Sequence, residues 1–339
     1  MEMMKAAAIA AAGLLAIAAI GTTIVLPLTT EAEVPTGLSG TLTIAGSTTI
    51  LPINEECARL LRDANHDLRI SVSGGGSGHG VKAVGAGEID IGAASRDVKS
   101  EEMALYPDLK PVAIGKDSVA IVVHPSNSVA DLTMEQASKI FSGEITNWKE
   151  VGGADAAIRV ITREEGSGTR ETFETYVMQP FKREIAGPAS VKSSNGEVRA
   201  TVSSDATSIG YLSLGYIDDT VKALSIGGVE ATVEHVRSGA YPITRNLYLI
   251  TNGEPSELEK AFIEFVLSSE GQKVVEDMGY LQLGAVLTPT PTPTPTMTPK
   301  PIATPTATPT PEQPGFEVVY AIAGLLAVTL LVQRSRMKR

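Results

Sequence analysis

Between residues 38 and 284, short runs rich in β-branched residues alternate with stretches whose apolar positions recur every three or four residues. Residues 41–45, 69–72, 89–93, 119–124, 158–162 and 209–214 read as strands. Residues 51–61, 81–84, 100–106, 134–141, 169–178 and 196–203 read as helices. Residues 256–278 read as one closing helix, with Leu258, Phe262, Phe265, Val266 and Val274 on a single stripe. Strands alternating with helices predict an α/β fold on a largely parallel sheet, and about 250 folding residues make one large domain or two lobes.

The two ends carry another pattern. No charge interrupts the Ala, Leu, Ile and Val run from Ala6 to Leu28, which Lys5 precedes, so residues 1–30 are expected to be a signal peptide or signal anchor. Thr and Pro alternate from Thr288 to Pro311, a composition that cannot bury apolar surface, so residues 288–313 are expected to form an extended stalk. Residues 314–339 begin with Pro314, Gly315 and Phe316, carry an apolar run from Val318 to Val332, and end on Arg334, Arg336, Lys338 and Arg339. This tail resembles the archaeal PGF-type C-terminal sorting signal, which implies cleavage and replacement by a lipid anchor; a retained short helix gives the same topology. The membrane is thus an expected partner, with everything between the two ends facing out.

Residues 38–284 hold 22 Lys and Arg against 34 Asp and Glu, a formal charge of −12, which argues against a nucleic-acid partner. An anionic ligand would have to be captured by local groups rather than by long-range attraction. The single cysteine, Cys57, allows no intramolecular disulfide, and His66, His79, His124 and His235 match no zinc spacing. No metal or cofactor is expected.

Three strand-to-helix junctions are built from glycine and small hydroxyl residues: 45–49 (Ala-Gly-Ser-Thr-Thr), 73–80 (Ser-Gly-Gly-Gly-Ser-Gly-His-Gly) and 163–170 (Arg-Glu-Glu-Gly-Ser-Gly-Thr-Arg). A helix N-terminus leaves N–H groups unpaired and carries about half a positive charge. Glycine lets an anion approach the backbone, and hydroxyls add donors. Each junction alone is also what an ordinary N-cap and turn would look like. Three of them converging would surround a tetrahedral oxyanion with neutral donors, with Arg163 supplying the one full charge. A nucleotide-binding loop is excluded, because Val81 separates Gly80 from Lys82 and Ala83 stands where the magnesium hydroxyl belongs. A serine nucleophile elbow fails as well, since His79 and Thr169 occupy the later glycine positions.

In order and spacing these junctions, together with residues 46–52, 74–96 and 141–148, resemble the Pst-type phosphate-binding proteins of the bilobal solute-binding superfamily. The resemblance runs from about residue 38 to residue 283. It implies a two-lobed, type II periplasmic-binding-protein-like α/β fold: residues 38–121 plus 246–284 in one lobe, 122–245 in the other, two crossing strands between them and the ligand in the cleft. It implies donation from Thr48, Thr49 and Ser77 on one side and from Arg163, Ser167, Gly168 and Thr169 on the other. Ser95 stands where some members carry an aspartate that accepts the ligand's proton, and Asp90, Glu164 and Glu165 are alternative acceptors. Glu165 falls where an acidic partner aligns the arginine, and Asn195 is expected to cap a helix. The implied function is extracellular binding of inorganic phosphate and delivery to the permease subunits of an ABC-type importer by a monomer that catalyses nothing. The alternatives are a receptor for sulfate or molybdate and, further off, a surface phosphatase, which would need metal ligands or a nucleophile with its base.

Overall fold

Strand β1 (Gly40–Gly46) runs parallel to both β2 (Leu68–Gly75) and β3 (Ile91–Ala94). The crossovers between them are α1 (Leu51–Ala64) and α2 (Ser77–Gly85). The structure, a computed structural model, describes residues 34–284. The signal segment, the Thr/Pro stalk and the sorting tail lie outside the described residues. Helix α1 turns Ile53, Cys57, Ala58 and Leu61 inward at the three-and-four spacing of one face. They meet Leu42 and Ile44 of β1 and a layer from two C-terminal helices, α8 (Glu257–Leu267) and α9 (Ser269–Asp277), which supply Phe262, Val266 and Val275. Helix α2 packs so tightly that a Cβ on Gly46 would lie 2.2 Å from Ala93 O and 2.9 Å from Gly80 Cα. Gly46 and Gly80 are therefore packing residues.

After α3 (Ser100–Leu105) the chain enters β4 (Leu109–Val123), the longest strand among the described residues. Its first part, residues 109–118, pairs antiparallel with β11 (Thr244–Asn252), and Val119 to Val123 pair antiparallel with β8 (Ser208–Ser213). One strand thus belongs to two cores. Beyond β8 the sheet continues with β6 (Arg159–Arg163) and β7 (Ser190–Lys192), both joined in parallel, and β9 (Lys222–Ala223) pairs with β4. The order is β2-β1-β3-β11-β4-β8-β6-β7, while β5 (Asp131–Leu132) and β10 (Ser225–Ile226) form a separate pair.

The second core gathers Val119, Ile121, Phe141, Trp148, Phe173, Tyr211 and Tyr241. Around it lie α4 (Met134–Ser142), α5 (Gly168–Phe173, running on as a π-turn to Met178), α6 (Asn195–Ser204) and α7 (Val233–Arg237). Helix α4 starts at a reciprocal cap in which Thr133 accepts from Gln136 N and Gln136 accepts from Thr133 N. The fold is a two-lobed α/β architecture.

Two sequence expectations are corrected. The sheet is parallel in each wing but antiparallel where β4 and β11 join the wings, because residues 109–118 and 244–252 also pair as strands. The closing helix is two helices: Ser268 is extended (φ −68°, ψ 167°) and its side chain accepts from Gly271 N, starting a new helix. A Cβ on Gly271 would lie 2.1 Å from Phe265 O, so the sharp corner requires glycine there.

Candidate functional site

The three junctions meet. Helices α1 and α2 both begin without a side-chain cap, on Ile50 and on Gly76, whose φ of 86° places it in the left-handed region. Helix α5 begins on Ser167, whose Oγ accepts from Arg170 N at 3.3 Å. Gly78 N donates to Gly166 O at 2.9 Å, so the second junction touches the third through backbone. A Cβ on Gly168 would stand 2.4 Å from Ser77 Oγ and 2.7 Å from Ser95 Oγ. No side chain fits there.

Thr48, Thr49, Ser77, Ser95, Arg163, Ser167 and Thr169 are all buried. Arg163 leaves the end of β6 and is 1% exposed. Its backbone N–H donates to Tyr211 Oη at 3.2 Å, and Tyr211 also hydrogen-bonds Thr162 Oγ1 at 2.7 Å. Tyr211 in turn stacks on Phe173 of α5 at 4.0 Å between ring centroids and 5° between planes. The aromatic core therefore fixes where β6 ends and α5 starts. Burial pushes the Tyr211 phenol up to about 12, despite its hydrogen bonds to Thr162 and Arg163, so it stays neutral.

The Arg163 guanidinium donates through Nε and Nη2 to the two carboxylate oxygens of Glu164, at 2.9 and 2.8 Å. Nη2 also reaches Thr48 Oγ1 at 3.3 Å. Nη1 is buried without a hydrogen-bond partner. The aligning acid is Glu164 and not Glu165, which is exposed: the chain turns after β6 so that the first of the two glutamates lies back along the arginine. A buried, unpartnered N–H on a full charge is costly unless something negative meets it.

Asn195 is not the cap expected of it. Ser194 caps α6, accepting from Glu197 N at 3.1 Å, and Asn195 is 0% exposed. Its Oδ1 accepts from Ser213 N at 3.1 Å, which assigns the amide orientation. Its Nδ2 then donates to Thr48 Oγ1 at 3.2 Å and to Thr49 Oγ1 at 3.1 Å. Two tyrosines hold the backbone beneath: Tyr216 Oη donates to Thr48 O and Tyr280 Oη to Thr49 O, both at 2.7 Å.

Sequence reasoning missed one charged pair. Arg245 of β11 and Asp117 of β4 lie directly opposite one another in the register. Arg245 Nε and Nη2 donate to Asp117 Oδ2 at 2.9 and 2.6 Å. The side chains are 3% and 0% exposed, and burial holds the Arg245 guanidinium below the usual arginine value while Asp117 opposes that. Arg245 also donates to Thr49 Oγ1 at 2.9 Å and to Thr169 Oγ1 at 3.0 Å. Asp117 Oδ1 is buried without a partner. A lone Asp in a β-rich run and a lone Arg 128 residues later carry no local signal that could have found them.

Of the proton-acceptor candidates, Asp90 is tied to β1, accepting from Thr43 N and Oγ1 at 2.7 Å. Glu164 is engaged with Arg163. Ser95 is brought in: its N–H donates to Ser77 Oγ at 3.0 Å and its Oγ lies 3.4 Å from the same atom. The assembled pocket sets neutral donors between two guanidinium groups, Arg163 and the Asp117-paired Arg245, a chemistry that suits an oxyanion.

Comparison with known proteins agrees with this architecture. Residues 31–270 match the PBP superfamily domain, and residues 313–334 match the PGF-CTERM motif. The chain is 36% identical over 252 residues to the phosphate-binding protein PstS of Bacillus subtilis, covering 72% of this chain and 81% of that one. It is 32% identical to PstS of Borreliella burgdorferi, with coverage of 71% and 89%. Among solved structures it is similar to an ABC transporter substrate-binding protein with bound phosphate from Clostridium perfringens, at TM-score 0.68 and 37% identity, covering 72% of this chain and all of that one. A fold with two cores bridged by β4, a pocket where its three junctions converge, and identity sustained over nearly the whole length of these relatives lead to one assignment: the chain belongs to the Pst-type phosphate-binding proteins of the PBP superfamily.

Proposed function

We propose that this protein captures inorganic phosphate outside the cell and delivers it to an ABC-type importer, holding its place at the membrane through the PGF-type tail. The observation that carries the reading is the buried, unpartnered Nη1 of Arg163, on a guanidinium whose Nη2 reaches Thr48 Oγ1 at 3.3 Å. A tetrahedral dianion would meet that N–H and the free N–H groups at the starts of α1, α2 and α5. The ligand groups are Thr48, Thr49, Ser77, Ser95, Arg163, Ser167, Gly168 and Thr169. They come from two lobes, residues 38–121 plus 246–284 and residues 122–245, with β4 and β11 crossing between them.

The protein works as a monomer and without nucleic acid, and it binds without turnover. Titration calorimetry of the purified protein with phosphate, sulfate and molybdate tests the reading. One phosphate per chain is expected, with the other two anions far weaker and no phosphate released from a generic ester. Tighter binding of sulfate or molybdate would reassign the ligand, and reproducible ester hydrolysis would reassign the class.

A further inference from the structure

We propose that Arg245, held in place by Asp117, is a specificity-determining positioning residue: it sets the direction of the site's threonine hydroxyls so that this side of the pocket presents donors only. The inference rests on the oxyanion-binding reading above.

A hydroxyl has one hydrogen and two lone pairs. Thr49 Oγ1 accepts from Arg245 Nη2 at 2.9 Å and from Asn195 Nδ2 at 3.1 Å, so both its lone pairs are occupied and its hydrogen can only be given away. Thr169 Oγ1 accepts from Arg245 Nη1 at 3.0 Å and lies 3.3 Å from Thr49 Oγ1, whose one hydrogen fills its second lone pair and is thereby spent within the pocket wall. Of these two hydroxyls, Thr169 is then the one whose hydrogen is left to donate to the ligand. Thr48 Oγ1 is occupied in the same way by Arg163 Nη2 at 3.3 Å and Asn195 Nδ2 at 3.2 Å. A ligand oxygen on this side must be bare, because a ligand hydroxyl would face a donor. Any proton the anion carries is turned toward the Ser77 and Ser95 hydroxyls, which face each other at 3.4 Å.

The placement of the pair adds a second consequence. Arg245 and Asp117 sit opposite each other on the antiparallel strands β11 and β4. From there the arginine reaches Thr49 of the first junction and Thr169 of the third. Both junctions must be in place before both hydroxyls are oriented, so pocket polarity and cleft closure are set by one side chain.

The test is a double-mutant cycle read by calorimetry with inorganic phosphate and with sulfate, across the parent, Arg245→Lys, Thr169→Val and their combination. Lysine keeps the charge opposite Asp117 but lacks the fork that serves two hydroxyls. Arg245→Lys is expected to weaken phosphate about 10- to 100-fold, to narrow the phosphate-to-sulfate ratio, and to cost much less in the Thr169→Val background. Equal losses in both backgrounds, or an unchanged anion ratio, would overturn the proposal. If Arg245→Lys does not fold, Arg245→Gln with Asp117→Asn removes the buried pair as a neutral unit and enters the same cycle with the same expectation. A parent that binds no tetrahedral anion would sink the oxyanion reading itself, a result distinct from a parent that binds and an Arg245 variant that matches it.

Discussion

Arg163 shows how much one side chain was legible. Its position after a strand and before a Gly-Ser-Gly-Thr helix start marked it as the site's charge, and the structure buries it at 1% exposure. Which of two adjacent glutamates would hold it was not legible, because that depends on how the chain turns after β6. The two can be separated. Replacing Arg163 with Ala should weaken phosphate by about 2 to 4 kcal/mol, since a charge-assisted contact is lost from a desolvated pocket. Glu164→Gln should cost about 1 kcal/mol through looser alignment, and Glu165→Gln should leave the affinity unchanged in the same titration. Equal losses from both glutamates would contradict the hydrogen bonds of 2.9 and 2.8 Å that assign the role to Glu164. Asn195 reads in the sequence only as a helix cap, and Asp117 and Arg245 give no signal there at all, for one reason. Each acts through partners far away in sequence, and no spacing rule connects them.

At the scale of elements, strands with β-branched runs and the helices that follow them were read correctly, while the stripe over residues 256–278 concealed the break at Ser268. The missed half of a strand has a different cause. The first part of β4 contains Pro111, Gly115, Lys116 and Asp117, which break the alternation a half-buried strand shows, yet pairing with β11 makes it a strand. Helix α5 carries the third junction against the second, and the contact leaves no room at Gly168. Gly168→Ala should lose phosphate affinity about 100-fold or more, as a Cβ 2.4 Å from Ser77 Oγ holds the junctions apart. Thermal stability should hardly change, because opening relieves the clash and alanine suits a helix. A variant that binds normally would show that the contact is not needed for capture. A second tie across the cleft is ionic. Glu171 of α5 lies 3.1 Å from Arg96 Nε and 2.8 Å from Lys99 Nζ, and Arg96 is also gripped by Glu102 at 2.7 Å. Glu171→Gln should speed phosphate release about two- to threefold, a small effect because the pair is partly solvated. Stopped-flow release would measure it.

For the whole molecule, two lobes were legible because the three junctions recur at family spacing, whereas the way one sheet serves both lobes was not. Donors from two lobes converge only when the cleft shuts, so saturating phosphate should lower the radius of gyration in small-angle scattering. The folded part is acidic at −12, and two arginines beside the second and third junctions are neutralised, Arg96 by Glu102 at 2.7 Å and Arg170 by Glu174 at 2.8 Å. Association should therefore not slow as salt rises, and dissociation should be nearly salt-independent. A steep fall in the association rate with salt would reveal a positive funnel that these pairings hide.

The placement of two rare residues has an optical consequence. The chain has one tryptophan, Trp148, fixed in the second core with Nε1 donating to Thr207 O at 2.9 Å, and one cysteine, Cys57, sealed in the first. Burial pushes the Cys57 thiol up to about 12, so it stays a protonated thiol that alkylating dyes do not reach at neutral pH. A cysteine introduced at Leu105, which is 67% exposed on α3, can thus be labelled alone, making a single emitter and a single acceptor on opposite lobes. Energy transfer from Trp148 to that dye should change when phosphate is added and stay constant when Gly168→Ala is titrated, turning cleft closure into a fluorescence signal without removing any native residue from either core.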